Sequence, residues 1–303
     1  MNSHLPVAGP LASRLERAEG GAIMAVASMS CVQLGLALSV HLFDRLSPQG
    51  TAALRLAWAG VLLLILVRPR RRDFTGRDLL ACGVLGVVTA GLMLFFILAV
   101  ARIPLGTASA LEFLGPLTVS VGGDGRRRWA VLAAVGVALL TWPWTNGIDP
   151  VGFAFALAAG ACWGAYILLT QRVGDRVTGL NGLAVSIPVA GVVAMLAAGG
   201  SGLGTVTWPL LVTMLGLAAL HPVLPFSLEL LALRRLTTAA FGTLMSLEPA
   251  IALLAGLLVL GQVPGPAPAV GVIFVVIAGI GATRAGDRGQ RGSSAASAPP
   301  TVG

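Results

Sequence analysis

The chain has 303 residues, of which 56% are hydrophobic and only 11% charged, and its mean hydropathy is +0.90. Soluble domains carry about 25% charged residues, so this composition excludes a cytosolic enzyme, a disordered regulator and a secreted disulfide scaffold. A formal net charge of +8 and a pI of about 11.3 suggest nucleic acid or an anionic surface when taken alone. All twenty basic residues are Arg, however, and where they fall along the chain decides the matter.

In chain order, residues 1–20 hold no long apolar core and read as a short cytoplasmic tail rather than a cleavable leader. A spanning helix needs about 20 mostly apolar residues. Cuts at charged and Pro/Gly-rich breaks leave ten runs: 21–43, 50–67, 78–100, 104–122, 129–145, 151–171, 181–200, 209–233, 237–260 and 267–283. Turn chemistry separates them, as in Asp44-Arg45-Leu46-Ser47-Pro48 and Asn146-Gly147-Ile148-Asp149-Pro150. None shows the alternation of a barrel strand. Residues 285–303 are rich in Gly, Ser, Ala and Pro and read as a disordered cytoplasmic tail. The expected fold is therefore all-α and integral to the membrane, with ten transmembrane helices.

The arginines orient those helices. With both ends inside, 17 of the 20 lie in cytoplasmic segments, notably Arg68, Arg70, Arg71, Arg72 and Arg77, then Arg126, Arg127 and Arg128. The outer loops keep Arg45 and Arg102, and Arg55 falls within a span. Short-loop arginines mark the cytoplasmic side. The positive charge is thus a record of topology, and no nucleic-acid partner is expected. Cys31, Cys82 and Cys162 sit in apolar runs at no metal-ligand spacing, so they read as packing residues, with no metal or cofactor expected.

Two segments align at an offset of 133: residues 101–116, ARIPLGTASALEFLGP, and residues 234–249, RRLTTAAFGTLMSLEP. Arg102 falls on Arg235, Leu111 on Leu244, Leu114 on Leu247 and Pro116 on Pro249. Each segment opens a span, the fourth and the ninth. The expected organisation is two five-helix repeats, 21–145 and 151–284. Five is odd, so the repeats run through the membrane in opposite directions, an arrangement common in secondary transporters that bind substrate between the halves.

Ionisable residues inside a membrane are costly and usually functional. Five fall within spans: Arg55, Glu112, His221, Glu229 and Glu248. Arg55 lies about 8 Å and Glu112 about 12 Å from the outer ends of their runs, at 1.5 Å per residue, which brings an Arg55–Glu112 pair within reach. Such a pair reads either as an anchor for a zwitterion with a proton-exchanging carboxylate, or as a structural lock. Glu248 precedes Pro249 near the midplane, so a carboxylate sits beside an expected kink. Glu229 either joins the translocation path or snorkels to the inner surface. His221 opens His-Pro-Val-Leu-Pro, where Pro222 and Pro225 should break the eighth span, while Pro116 and Pro249 should bend the fourth and ninth. In the sixth span Gly160-x-x-x-Gly164 permits close helix approach. Trp163 and Tyr166 follow as cavity-lining candidates, and Gln33 in the first span should point inward.

These residues also carry a resemblance. The run 225–236 (PFSLELLALRRL), its continuation Phe241-Gly-Thr-Leu-Met-Ser-Leu-Glu-Pro-Ala250, Leu260-Gly261, residues 103–106 (IPLG), 112–116 (EFLGP) and 161–166 (ACWGAY) resemble the drug/metabolite transporter superfamily. More narrowly, the chain is similar to the EamA-type threonine/homoserine exporter group over about residues 21 to 284. The resemblance implies ten helices in two inverted repeats and export of small metabolites from bacteria, with amino acids favoured and proton exchange as the energy source. It further implies a cell-membrane location with cytoplasmic termini. Arg55 matches an arginine common in the second helix, and Glu229 and Glu248 match two Ser-Leu-Glu positions. Where the group often has Glu after Leu-Gly in the ninth helix, this chain has Gln262. The partners expected are a small solute, protons and lipid, with a homodimer left open. Two other classes compete: a membrane enzyme acting on lipid or prenyl substrates, for which the sequence offers no clustered carboxylates, and a non-transporting membrane scaffold, which needs no inverted repeat.

Overall fold

The computed structural model describes residues 10–120, 127–141, 149–177, 180–200, 206–233, 235–236 and 238–296. The first nine residues, the loop holding Asn146-Gly147, Asp124, Arg126, Arg234 and residues 297–303 lie outside the described residues, as does the ring of Pro222. Among the described residues the structure is helical, with no strand. In lipid a spanning segment must satisfy its own backbone groups, and long apolar runs with few interior Pro and Gly do so as helices.

The elements are α1 (Pro10–Val40), α2 (Phe43–Val67), α3 (Gly76–Val100), α4 (Leu105–Glu112), α5 (Leu114–Ser120), α6 (Arg127–Thr141) and α7 (Pro150–Gly174). They continue with α8 (Asn181–Ala198), α9 (Trp208–Ala218), a π-helical turn (Ala219–Val223), α10 (Leu224–Leu233), α11 (Thr238–Met245), α12 (Glu248–Leu260) and α13 (Pro266–Ala296). Six stretches are long and apolar enough to cross a membrane: Glu19–Val40, Phe43–Val67, Gly76–Val100, Pro150–Gly174, Asn181–Ala198 and Phe241–Leu260. Arg128–Leu140, Trp208–His221 and Pro266–Gly281 are shorter apolar helices.

Local chemistry sets the ends. Thr75 caps α3 reciprocally with Asp78: its hydroxyl accepts from the Asp78 N–H at 3.3 Å, and the Thr75 N–H donates to the Asp78 carboxylate at 2.9 Å. Asp149 caps α7 by accepting from the N–H groups of Val151 and Gly152, with Pro150 in the first turn where its missing N–H costs nothing. Gly199 and Gly261 close α8 and α12 in the left-handed conformation. The second run differs from expectation: its helix begins at Phe43, seven residues early, and turns sharply at Ser47 (φ 58°) ahead of Pro48. Arg55 is therefore seven residues, about 10 Å, inside the straight part of α2. The last helix likewise continues past residue 284, where the sequence suggests a tail, to Ala296.

The main packing partners are α2 with α8, α3 with α7 and α8, α6 with α13, α1 with α10 and α12, and α4 with α12 and α7. Small residues let backbones touch and reveal direction. Gly60 lies against Pro188 and Gly191 against Ala57, so α2 and α8 are antiparallel. Gly106 faces Leu253 and Gly256 faces Leu105, so α4 and α12 are antiparallel too. Gly21 against Leu236 and Gly35 against His221 make α1 antiparallel to the chain from His221 to Leu236. Gly152 meets Arg102 and Ile103, Gly160 meets Glu112, and Gly164 meets Gly115, so α7 runs parallel to α4 and α5. The Gly160-x-x-x-Gly164 pair thus serves the close approach its spacing suggests.

Candidate functional site

Three apolar runs are interrupted, and the interruptions face one another. The fourth breaks at Phe113, between α4 and α5, with Pro116 in the first turn of α5. The ninth breaks at Ser246–Leu247, between α11 and α12, with Pro249 in the first turn of α12. Phe113 plus the repeat offset of 133 gives 246, so the two breaks occupy corresponding positions. The eighth breaks in the π-helical turn, where His221 leaves the helical conformation (φ −154°, ψ 109°) between α9 and α10. Prolines cause each break by withdrawing a donor from the helical ladder.

Between these breaks lies a cavity of about 160 Å³, room for several waters or one small solute. Glu112, Gln33, His221, Glu229 and Glu248 all line it, as do Trp163, Tyr166 and Pro225. Apolar side chains, among them Leu36, Leu56, Leu92 and Phe96, complete the wall. Residues from distant parts of the chain meet here because breaks in the fourth, eighth and ninth runs turn their side chains toward the middle of the bundle.

The carboxylates are held differently. Gln33 Nε2 donates to Glu248 Oε1 at 3.1 Å, while Glu248 Oε2 is buried with no hydrogen-bond partner. Glu248 also opens α12, so its charge faces the positive end of that helix. The Glu229 carboxylate, Oε1, lies 3.0 Å from Ser28 Oγ, which is also 3.3 Å from the Pro225 carbonyl oxygen. The hydroxyl therefore ties α1 to the start of α10. Glu229 turns toward α1 and the cavity instead of snorkelling. Trp163 packs edge-on against Phe113 at the break in the fourth run, with ring centroids 6.2 Å apart. His221 Nδ1 is buried and without a hydrogen-bond partner.

Arg55 forms no ion pair with Glu112 among the described residues, whereas Arg102 pairs with Asp149 at 2.8 Å. Arg55 lies behind the cavity wall, where Nη1 donates to Ser39 Oγ at 3.3 Å and Nη2 approaches Met93 Sδ at 3.7 Å. Helix rotation decides this, since Arg55 turns toward Ser39 on α1 and Met93 on α3. Gln262, the departure from the resemblance, accepts from the Leu105 N–H at 3.0 Å and so caps α4 from the end of α12. Ser28, Ser39, Thr89 and Met93 also belong to the site or its wall, but single hydroxyls and a methionine in apolar runs leave no distinguishing mark in a sequence.

The EamA-like transporter family matches residues 19–123 and 150–283. The threonine/homoserine exporter RhtA of Escherichia coli (strain K12) is 36% identical over 268 residues, covering 86% of this chain and 90% of that protein. Its counterpart from Salmonella typhimurium (strain SL1344) is 36% identical over 262 residues, covering 84% and 88%. A solved crystal structure superposes with a TM-score of 0.58 at 15% identity, covering 89% of this chain and 98% of that one, a likeness of fold. By family match and relatives together, this chain is a membrane transporter of the EamA-like family.

Proposed function

We propose that the protein is a secondary exporter of small amino acids of the threonine and homoserine kind, working by proton antiport and alternating access in the bacterial inner membrane. The observation that carries this reading is the cavity where three carboxylates and a histidine meet beside three helix breaks. Carboxylates kept from bulk water are suited to take up and release a proton within a cycle. Helix breaks supply the places where halves of a helix rearrange. The relatives' printed activity, export of threonine and homoserine, supports the substrate class.

In this reading the chain crosses the membrane ten times as two inverted repeats. Counting α4–α5, α9–α10 and α11–α12 as one span each, the pairs 2 with 7, 4 with 9 and 5 with 10 map onto themselves when each span is exchanged with the one five places away. The pair 3 with 6 maps onto 8 with 1, and 1 with 9 onto 6 with 4. Parity agrees: spans 2 and 7, 4 and 9, and 1 and 8 are antiparallel, whereas 4 and 6 are parallel. Cytoplasmic arginines favour both termini inside.

Glu112 is the proposed proton site, since it lines the cavity and no hydrogen bond among the described residues engages its carboxylate. Glu112→Gln should cut threonine efflux from preloaded cells to about a hundredth or less, the scale of a lost proton-transfer group, with membrane content of the protein unchanged. Efflux within twofold of the wild type would remove Glu112 from the mechanism.

A further inference from the structure

Arg55 is only 1% exposed, yet its hydrogen-bond partners are a hydroxyl at 3.3 Å and a thioether at 3.7 Å. A buried guanidinium is ordinarily matched by a carboxylate, because an uncompensated charge away from water is expensive. Among the described residues no carboxylate forms an ion pair with it. Its surroundings are the cavity wall: Met93, which Nη2 touches, lines the cavity, and so does the adjacent Leu56. The cavity thus has a cationic flank at Arg55 and a separate group of carboxylates at Glu112, Glu248 and Glu229.

We propose that Arg55 is the subsite for the substrate's carboxylate, and that the Met93 side chain is the cover that moves aside when the substrate seats. The proposal rests on the export reading above and sharpens it to α-amino acids carrying both a free carboxylate and an ammonium. Methionine suits a cover: it is unbranched, has three side-chain torsions and tolerates repacking. A carboxylate offers the planar guanidinium two charge-assisted bonds in place of one long hydroxyl contact and one sulfur contact. The ammonium end falls to the cavity carboxylates. A solute without the carboxylate leaves Arg55 unmatched and is rejected on that account.

The competing role for Arg55 is a cross-link between α1, α2 and α3, and discrimination between substrates separates the two. Initial efflux rates of threonine and of its amino alcohol, which lacks the carboxylate, are measured from proteoliposomes of the wild type, Arg55→Gln and Arg55→Lys. The wild type should favour threonine by about 10- to 100-fold, the range for a hydrogen bond to a charged group. In Arg55→Gln that ratio should collapse toward one, through loss of threonine flux with the amino alcohol rate retained. Arg55→Lys, which keeps the charge but not the fork, should raise the KM for threonine about 10-fold and leave the amino alcohol unaffected. It carries the test by itself if the Gln variant is not recovered folded. Parallel loss of both fluxes with the ratio preserved, or an unchanged ratio, overturns the subsite and leaves the export reading standing. Absence of threonine flux in the wild type overturns the export reading and the subsite with it.

Discussion

At the scale of single residues, the polar groups of this protein fall into two populations. Inside the bundle, Glu112, Glu229, Glu248 and His221 share a cavity and little hydrogen bonding. Outside it, Asp149 accepts from Arg102 at 2.8 Å and from the Val151 N–H at 2.8 Å, and both hold its carboxyl below the usual carboxylate range. A depressed folded value means that Asp149 contributes stability above its unfolded value, near 3.8, and loses it as pH falls through the folded one. Asp149→Asn should therefore lower Tm at pH 7, and the gap to the wild type should close as pH drops below 3.8. A scan of Tm against pH in detergent checks this, and a gap constant down to acid pH would contradict it. The intramembrane ionisable residues stand out in the sequence because apolar runs make any charge conspicuous. Their pairing does not, because it depends on helix rotation: Arg55 meets Ser39 and Met93 rather than Glu112.

At the scale of elements, proline placement made the interruptions readable. Pro116, Pro222 with Pro225, and Pro249 lie at or beside breaks in the fourth, eighth and ninth runs. The turn at Ser47 inside α2 was less legible, since Asp44 to Pro48 reads equally as an open loop. Glycines set how closely the elements approach. A Cβ at Gly115 would strike the Gly160 carbonyl, backbone against backbone, whereas one at Gly83 would meet nothing within 4 Å. Gly115→Ala should therefore sharply reduce the yield of monodisperse protein, through overpacking of about 1–3 kcal/mol. Gly83→Ala should be neutral or slightly stabilising, since Ala is the better helix former by about 1 kcal/mol. Size-exclusion profiles and Tm values of the two variants provide the comparison, and equal behaviour would mean that α5 and α7 are not held at this separation.

At the scale of the whole molecule, the proposed ten-span architecture draws on three patterns: the ten apolar runs, the arginine asymmetry between loops, and helix pairs that exchange under a shift of five. The first two are visible in the sequence because lipid imposes a long apolar stretch and a charge bias on every crossing. The third needs the structure, since the repeats align clearly only around residues 101–116 and 234–249. Pro188 stands at the repeat position of Arg55, so the proposed repeats would hold an asymmetric set of charges. That asymmetry fits a site with one cationic flank and several carboxylates. Efflux of labelled threonine from proteoliposomes, with and without an imposed pH gradient, tests the proposed exporter most directly. Proton-coupled export predicts efflux several-fold faster when protons enter down their gradient, and a reversed direction of net movement when the gradient is reversed. Identical flux with and without the gradient would contradict it.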